Sequence, residues 1–490
     1  MPTLLQHPAL PVFCLQRQFI MILSDLPQEI LDEVAGQLVP ELRVALGSHK
    51  DVFRGHPFQD GRLALLSLVK TNRRLNAIAT RHLYHTICIC DLRTLFELLG
   101  TFIWAPHLAA HVRIFAVVAC LEDFLDPATA SKTELMFASI TVGSTIYSHL
   151  ERCFGEFEQT SELTWRNHYD CGQSTCALVL FLTTNLHTLH MHCPIWNAEQ
   201  YDVLMSVFRS CHHQEGVVDF LPRLSRLCLT ADPEASNPFL PDETTQAYMG
   251  LGRIKRLELF GAYMLIEHTD FSADVWRNVE AIHIAHACTN GAWWYRLCNE
   301  ARPKLKVIEI FMSPYSPEPA DKGAFGFNEA LQLCTDTLKH LHLGMPNHLS
   351  HLGPDKRLSC LPSMKLLTYL KVPAMILFKS ATTMRKGDIC DTLPLSLERL
   401  HLSEDKVCEP WLNDDDEDSI REEEYAELLR RALLQLAFNS SGRLPRLETV
   451  RVTNYNQYWN GGGQELDGIC TVEKHGPTTT VSFAPKQSGS

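Results

Sequence analysis

The sequence predicts an α/β fold, in which a small helical unit near the N-terminus is followed by a repeat solenoid with a curved parallel sheet. The first observation behind this prediction is an apolar stripe at helical spacing that begins at Leu26. The second is a short apolar pattern that recurs nine or ten times between residues 112 and 452. The third is a composition of 45% hydrophobic and 21% charged residues, which is typical of folded, soluble proteins.

The helical unit opens with the stretch from Leu26 to Leu38, in which Pro27 suits the first turn of a helix. Its apolar residues fall on one stripe, which comprises Leu26, Ile30, Leu31, Val34 and Leu38. A second apolar pattern predicts two more helices, through Leu63, Leu65, Leu66, Leu68 and Val69 and then Leu75, Ile78, Ala79, Leu83 and Tyr84. The segment between the patterns, from Pro40 to Arg62, is rich in glycine and proline and predicts a surface loop.

Three motifs follow one another within residues 22–90. They are Leu-Pro-x-Glu-Ile-Leu from Leu26, Leu-Leu-Ser-Leu-Val from Leu65, and Ile-Ala followed by Leu-Tyr from Ile78. In this order they resemble the F-box, in the form common among fungal F-box proteins. The chain departs from the family pattern in two ways. A long segment separates the first two helices, and the aromatic residue often found late in the second or third helix is absent unless Tyr84 takes its place. The resemblance implies a three-helix module that binds the Skp adaptor of SCF-type cullin–RING ubiquitin ligases.

By the same resemblance, five residues are expected at the adaptor surface, namely Leu26, Pro27, Ile30, Leu31 and Leu66. A unit of three helices buries little apolar surface by itself, so it can leave apolar side chains for a partner. The same residues also suit the core of the unit, because cores and interfaces share one composition. The sequence leaves both possibilities open for each of them.

Beyond residue 100 the chain repeats an apolar-x-x-apolar-x-apolar pattern, as in the run from Leu224 to Leu229. Its central residues are Leu189, Leu227, Leu257, Ile282, Ile308, Leu341, Leu370, Leu400 and Val450, with Phe115 as a tenth candidate. The pattern is typical of leucine-rich repeats. Apolar residues two apart share one face of a short strand, and stacked strands bury them in the curved parallel sheet of a solenoid.

The repeats are irregular, because successive central residues are separated by 25 positions from Leu257 to Ile282 but by 50 from Leu400 to Val450. Helices are predicted outside the strands at 197–213, 327–334 and 420–438, and within the poorly fitting residues 118–184. The predicted organisation is an N-terminal extension at 1–21, the helical unit at 22–90, the solenoid at 100–455 and a disordered tail at 456–490. A conventional α/β domain with a parallel sheet is the alternative architecture.

Positions that flank the buried residues of each strand face the concave side of such a solenoid. They carry charged, imidazole and aromatic side chains, a mixture that suits protein recognition. The residues predicted to bind a protein target are Arg226, Arg256, Glu258, Phe260, His283, Glu309, Phe311, His342, Tyr369, Lys371, Arg399 and His401.

No catalytic, cofactor or metal site is predicted. The strand histidines His190, His283, His342 and His401 are never on adjacent strands in this register, and strands lie about 4.8 Å apart. A tetrahedral metal needs ligand atoms within about 2.3 Å, so ordinary surface histidines are the better interpretation. The sequence also contains no phosphate-binding glycine loop, nucleophile elbow or zinc-protease motif.

Charge and cysteine content indicate which cellular compartment and which classes of partner to expect. The net charge of −13 gives no basic field for nucleic acid or an anionic membrane, and eight acids form the runs Asp414–Asp418 and Glu422–Glu424. The 17 cysteines show no framework of pairs, no secretory signal is evident, and no stretch is apolar enough to span a membrane. A reducing compartment is therefore expected, in the cytoplasm or the nucleus or both.

The resulting prediction is a non-enzymatic substrate-recognition adaptor of an SCF-type E3 ubiquitin ligase. The F-box-like unit would bind a Skp-type adaptor and through it a cullin, and the repeats would bind a protein target. One alternative is a non-catalytic leucine-rich-repeat scaffold whose box-like helices only cap the solenoid. A further alternative is an enzyme whose active site carries none of the motifs considered.

Overall fold

The computed structural model describes residues 25–39, 56–118, 168–193, 220–231, 253–261, 263–264, 276–289, 291–312, 327–344, 358–377, 389–403, 427–429, 431–433, 435–436, 443–453, 470–475 and 478–483. The chain forms two compact units. The first comprises Met1–Met191 with Asp219–Arg223, and the second comprises His192–Val218 with Leu224–Ser490.

The first unit opens with three helices around a common core, as predicted. They are α1 (Gln28–Gln37), α2 (His56–Val69) and α3 (Arg73–Leu83). Apolar residues from all three helices fill the core, namely Leu31, Ala35, Leu65, Leu75, Ile78 and Ala79. The Asn72 side chain caps α3, because its oxygen accepts a hydrogen bond from the Leu75 N–H at 2.9 Å.

Helix α2 begins earlier than the sequence suggested. Residues 56–62 were expected in the surface loop that starts at Pro40, but they form the first turns of α2. Pro57 is the second residue of this helix, a position where a missing N–H costs no intrahelical hydrogen bond. The rest of the predicted loop, up to residue 55, lies outside the described residues.

Three parallel strands complete the described part of the first unit. In chain order the elements are β1 (Thr86–Ile89), α4 (Leu92–Trp104), α5 (Pro106–Ala109), β2 (Ile114–Val117), α6 (His168–Leu182) and β3 (Thr188–Cys193). The register aligns Ile87 with Phe115 and Phe115 with Leu189. Phe115, the tenth candidate repeat, is therefore a strand residue, whereas β1 and α4 were not predicted. Helix was expected within 118–184, and α6 is helical there, whereas residues 119–167 lie outside the described residues.

The second unit contains eight parallel strands that pair in chain order and a ninth strand of two residues, which pairs with the third of them. They are β4 (Arg226–Ala231), β5 (Arg256–Phe260), β6 (Tyr263–Met264, paired only with β7), β7 (Ala281–Thr289), β8 (Val307–Met312), β9 (His340–Gly344), β10 (Tyr369–Val372), β11 (Arg399–Ser403) and β12 (Thr449–Thr453). The predicted α/β class and leucine-rich-repeat-like solenoid are thereby confirmed.

The core of these strands consists of the predicted apolar residues in register. Leu227, Leu257, Ile282, Ile308, Leu341, Leu370, Leu400 and Val450 pair with one another across the sheet, and each is at most 1% exposed. The first and third apolar residues of each pattern are also buried. The side chains that alternate with them consequently share the opposite face of the sheet.

Between the strands the chain returns through short helices, α7 (Gly291–Ala301) and α8 (Phe327–Gln332), and through 3₁₀ turns at Leu361–Ser363, Ala374–Leu377 and Ile389–Thr392. The predicted helix at 327–334 is thus present over six residues. The helix expected at 420–438 is helical wherever it is described, and the helix expected at 197–213 lies outside the described residues.

The end of the chain differs from the expected disordered tail. Strands β13 (Cys470–His475) and β14 (Thr478–Phe483) form an antiparallel hairpin, and β14 pairs antiparallel with β12. Across the described parts of the chain, no helix combines the length and the apolar character that crossing a membrane requires.

Candidate protein-binding surfaces

Helix α1 is apolar on two sides. Leu31 and Ala35 are 2% and 1% exposed and point into the helical core. Ile30 and Val34 are 48% and 39% exposed, and they lie one turn apart on the helix surface. These two side chains, together with the 60% exposed Leu63 of α2, are called the exposed helical residues.

Polar contacts fix the position of α1 against α3. Asp32 accepts hydrogen bonds from Arg81 Nη2 at 3.0 Å and from His82 Nε2 at 2.8 Å. At the start of α1, Arg74 Nη2 donates to the Leu26 carbonyl at 2.7 Å. Helix α1 is thereby held at its start and near its middle, so its solvent side presents Ile30 and Val34 in a fixed arrangement.

The five residues expected at an adaptor surface divide into three groups. Pro27 and Ile30 are exposed, whereas Leu26 and Leu66 are half-buried, and Leu26 packs against the core. Leu31 is buried at 2% exposure and belongs to the core, which corrects the expectation for this residue. Val34 and Leu63 are exposed apolar residues that this expectation did not include, although Val34 lies four residues after Ile30 and therefore on the same side of the helix.

The second candidate surface is the sheet face opposite the buried leucines of the second unit. The register brings all twelve predicted target-binding residues together in three columns that run across the strands. The columns are Arg226, Arg256, Tyr369 and Arg399, then Glu258, His283, Glu309, His342, Lys371 and His401, and then Phe260 and Phe311. His340 joins the first column and Arg451 the second, and the whole set is called the polar strand face.

Three of the predicted contact residues are buried within this face. Glu258, Phe260 and His342 are 2%, 7% and 9% exposed, so they support the face instead of offering a surface to a partner. Cys228, which precedes Glu258 in the column, is also buried. The spacing of the apolar residues predicted the face of each side chain correctly, but it carries no information on how far neighbouring side chains cover it.

At the start of the face, Glu258 binds two arginines. Arg226 donates from Nε and Nη2 to the two oxygens of Glu258, each at 2.9 Å. Arg256 Nε donates to the same carboxylate. These paired bonds satisfy the buried charge, as a carboxylate removed from water requires.

Further along, Glu309 lies between two histidines. His283 Nδ1 is 2.6 Å from Glu309 Oε2, and His340 Nε2 is 3.0 Å from Glu309 Oε1. Burial acts to raise the pKa of Glu309, but the contacts with His283 and then His340 outweigh it, and the pKa of Glu309 lies below its ordinary value. The ionised carboxylate only accepts, so His283 carries its proton on Nδ1 and donates it.

Aromatic contacts link β8 to β11 on the same face. The His340 ring stacks on Tyr369 with ring centroids 4.2 Å apart, and the Arg399 guanidinium lies 5.4 Å from the centre of the Tyr369 ring. Phe311 meets His342 edge-on at 4.3 Å. Burial, followed by the charge of Lys371, lowers the pKa of His342 to about 3, and the same two causes lower the pKa of His401 to about 4.

Metal and thiol chemistry find little support in the described residues. No three His, Cys, Asp or Glu side chains within those residues are grouped closely enough to hold a metal ion. Burial raises the pKa of the Cys176 and Cys360 thiols to about 12, which disfavours the nucleophilic thiolate at both positions.

Comparison with known proteins adds little. No protein-family model matches the chain, and no curated protein matches it. Among solved structures the chain is similar to the crystal structure of the Rad7 and Elc1 complex in yeast, at 10% sequence identity and a TM-score of 0.25, over 85% of this chain and 97% of that chain. A similarity at that TM-score does not indicate a function for this chain.

Proposed function

We propose that this chain is the substrate-recognition adaptor of an SCF-type cullin–RING ubiquitin ligase. Its helical unit docks a Skp-type adaptor, and through it a cullin, while the polar strand face binds a protein target. The observation that carries the proposal is the two-sided character of α1, because Leu31 fills the core while Ile30 and Val34 stay exposed. A helix that has satisfied its own core and still exposes aliphatic side chains is suited to packing against a partner.

The energetic scale is adequate for docking. Complete burial of one aliphatic side chain contributes about 1.5–3 kcal/mol, and Ile30, Val34 and Leu63 are already partly covered, so together they contribute a few kcal/mol. The remainder of the interface would come from surrounding polar contacts. Docking does not require the strand face, so the two surfaces act independently.

In this role the chain makes and breaks no covalent bond. It holds a target close to a ubiquitin-conjugating enzyme and so raises the local concentration of the target's lysines. The gain is lost if either surface fails, because each binding event alone leaves the target or the ligase unattached. The small helical unit would thus serve docking to the ligase, and the long repeat array would serve target binding.

Co-purification with a Skp-type adaptor tests the docking step. Full-length chain with Ile30→Asp and Val34→Asp should lose the adaptor, because two carboxylates would be buried without partners at the contact. The matched control is Leu366→Asp with Leu395→Asp, which alters two exposed leucines of the repeats that are 44% and 66% exposed. Circular dichroism checks that both variants stay folded, and retained adaptor binding by the folded first variant would overturn the proposal.

A second candidate function is a repeat scaffold in which the helices only cap the strands. The observation that favours it is continuity, because α3 ends at Leu83, β1 begins at Thr86, and both belong to the same compact unit. This candidate predicts that the wild-type chain retains no Skp-type adaptor at all. The same pull-down therefore separates the two functions before any variant is made.

A further inference from the structure

The charges on the polar strand face are distributed unevenly. On β4 to β8 the two arginines Arg226 and Arg256 both bind Glu258, and His283 contacts Glu309. On β10 to β12 the cations Lys371, Arg399 and Arg451 follow, and within the described residues none of these three makes an ion pair. The second part of the face thus carries positive charge that the described protein does not neutralise.

The register places these three cations close together. Lys371 aligns with His401, which aligns with Arg451, and Arg399 lies two residues before His401 on the same face. With strands about 4.8 Å apart, the backbone positions of Lys371 and Arg451 are about 10 Å apart. The Lys371 side chain is half-buried, and the Arg399 and Arg451 side chains are exposed.

No acid interrupts this group on β9 to β12. The side chains described on this face of the four strands are those of His340, His342, Tyr369, Lys371, Arg399, His401, Thr449 and Arg451. Burial and the neighbouring cations keep the pKa of His342 at about 3 and that of His401 at about 4, so both rings are neutral at physiological pH. The charge of the patch therefore comes from Lys371, Arg399 and Arg451, which are called the basic strand patch.

We propose that the basic strand patch binds an extended, acidic segment of the target protein, with Asp or Glu carboxylates facing Lys371, Arg399 and Arg451. This inference rests on the proposed function, because it takes the bound segment to be part of the target protein. Guanidinium and ammonium groups pair well with carboxylates, and Arg399 is already oriented by its contact with Tyr369.

The spread of the patch favours several separate charges over one compact anion. A single phosphate offers its oxygens at one point, whereas these cations extend over three strands and about 10 Å. Side chains on one side of an extended peptide recur about every 6.8 Å, so alternating carboxylates can reach more than one cation at a time. The occupant is therefore assigned as a run of carboxylates.

The negative net charge of the chain makes the basic strand patch the favoured binding position for an acidic segment. The chain has a net charge of −13, so its overall field repels an acidic partner. A local positive patch in a negative protein fixes position and orientation, and it speeds association at low salt. The contact should weaken as ionic strength rises, since exposed charges are screened over about 10 Å at 0.1 M salt.

Fluorescence anisotropy on the full-length chain tests the assignment directly. The probe is a labelled synthetic peptide of alternating Glu and Ser, and the matched peptide replaces each Glu with Gln. We expect the Glu peptide to bind at least about tenfold more tightly than the Gln peptide, with an affinity that falls as salt is added. Lys371→Gln with Arg451→Gln should lower that affinity about tenfold or more.

The matched protein control is Arg302→Gln with Lys339→Gln, which removes two exposed cations that are not part of the patch. Equal binding of both peptides, or unchanged binding by the Lys371 and Arg451 variant, overturns the proposal. A Gln and Ser peptide with one phosphoserine that binds more tightly than the Glu peptide overturns the carboxylate assignment. The Skp-type adaptor pull-down does not involve this patch, so failure here with the adaptor retained leaves the docking proposal standing.

Discussion

Arg226 and Glu258 form a two-bonded pair across β4 and β5, with both contacts at 2.9 Å and the carboxylate only 2% exposed. Two parallel N–H···O bonds match the planar guanidinium to the planar carboxylate. Arg256 adds a third bond to the same group. The sheet thus contains a buried charge that is tolerated because two cations surround it.

Glu258→Gln is expected to destabilise the second unit. The substitution keeps the shape of the side chain but leaves two guanidinium groups facing a neutral amide, and the cost is expected to be about 1–3 kcal/mol because both arginines are partly exposed to water. Urea unfolding of the full chain measures it. Glu448→Gln, at an exposed position near β12, is the control and should change the free energy of unfolding by less than about 0.5 kcal/mol. Equal effects of the two substitutions would contradict this account.

Stability should also fall in mild acid because of His342. Burial and the charge of Lys371 lower its pKa to about 3 in the folded protein, against an ordinary value of 6.5 for a histidine in water. The unfolded chain therefore takes up the proton first, and stability decreases as pH falls from about 6.5 toward 3. At about 1.4 kcal/mol per pH unit, this one group costs about 2 kcal/mol at pH 5.

The measurement for His342 is the urea midpoint at pH 7 and at pH 5, for the wild-type chain and for His342→Gln. Gln does not titrate, so the variant should lose less stability between the two pH values than the wild type does. Lys371, Glu309, His340 and His401 also act on this imidazole, and all four are unchanged in the variant. Parallel losses in both proteins would show that His342 is not the source.

Neighbouring residues on α1 should respond to substitution in opposite ways. Leu31→Ala removes a core side chain that is 2% exposed, and a cost of about 2–5 kcal/mol is expected for the helical unit. Ile30→Ala alters a side chain that is 48% exposed, so stability should change by less than about 1 kcal/mol. Amide hydrogen exchange of α1 and α3 reports both effects. If Ile30→Ala opened the helices as much as Leu31→Ala does, Ile30 would belong to the core.

The strand register could be predicted from the sequence because its determinant is local. Two apolar residues at a spacing of two must share one face, and Leu227, Leu257 and Ile282 therefore align as expected. The same rule assigned Lys371 and His401 to one face of adjacent strands. The rule does not predict how far neighbouring side chains cover a residue. Glu258 was therefore expected at the surface, whereas two arginines cover it and leave it 2% exposed.

Side-chain contacts and burial could not be predicted in the same way, because they depend on residues that are distant in the sequence. The contact between His283 and Glu309 joins residues 26 positions apart, and it depends on side-chain reach as well as register. On α1 the apolar stripe is wide enough to include both Ile30 and Leu31, so helical spacing alone does not decide which one is buried. Pro57 and Gly61 indicated a loop, yet Pro57 occupies a position in α2 where proline is accepted.

Gly344 is required by the packing of Phe311 on the neighbouring strand. The two residues are register partners on β9 and β8, and a Cβ at position 344 would lie 2.8 Å from Phe311 Cδ1. Gly344→Ala should therefore push the ring away from His342, which it meets edge-on, at a cost of about 1–3 kcal/mol. In a Phe311→Ala background the same substitution meets no ring and should cost much less. A double-mutant cycle by urea unfolding measures this coupling, and simple additivity of the two changes would mean that the ring and the glycine are independent.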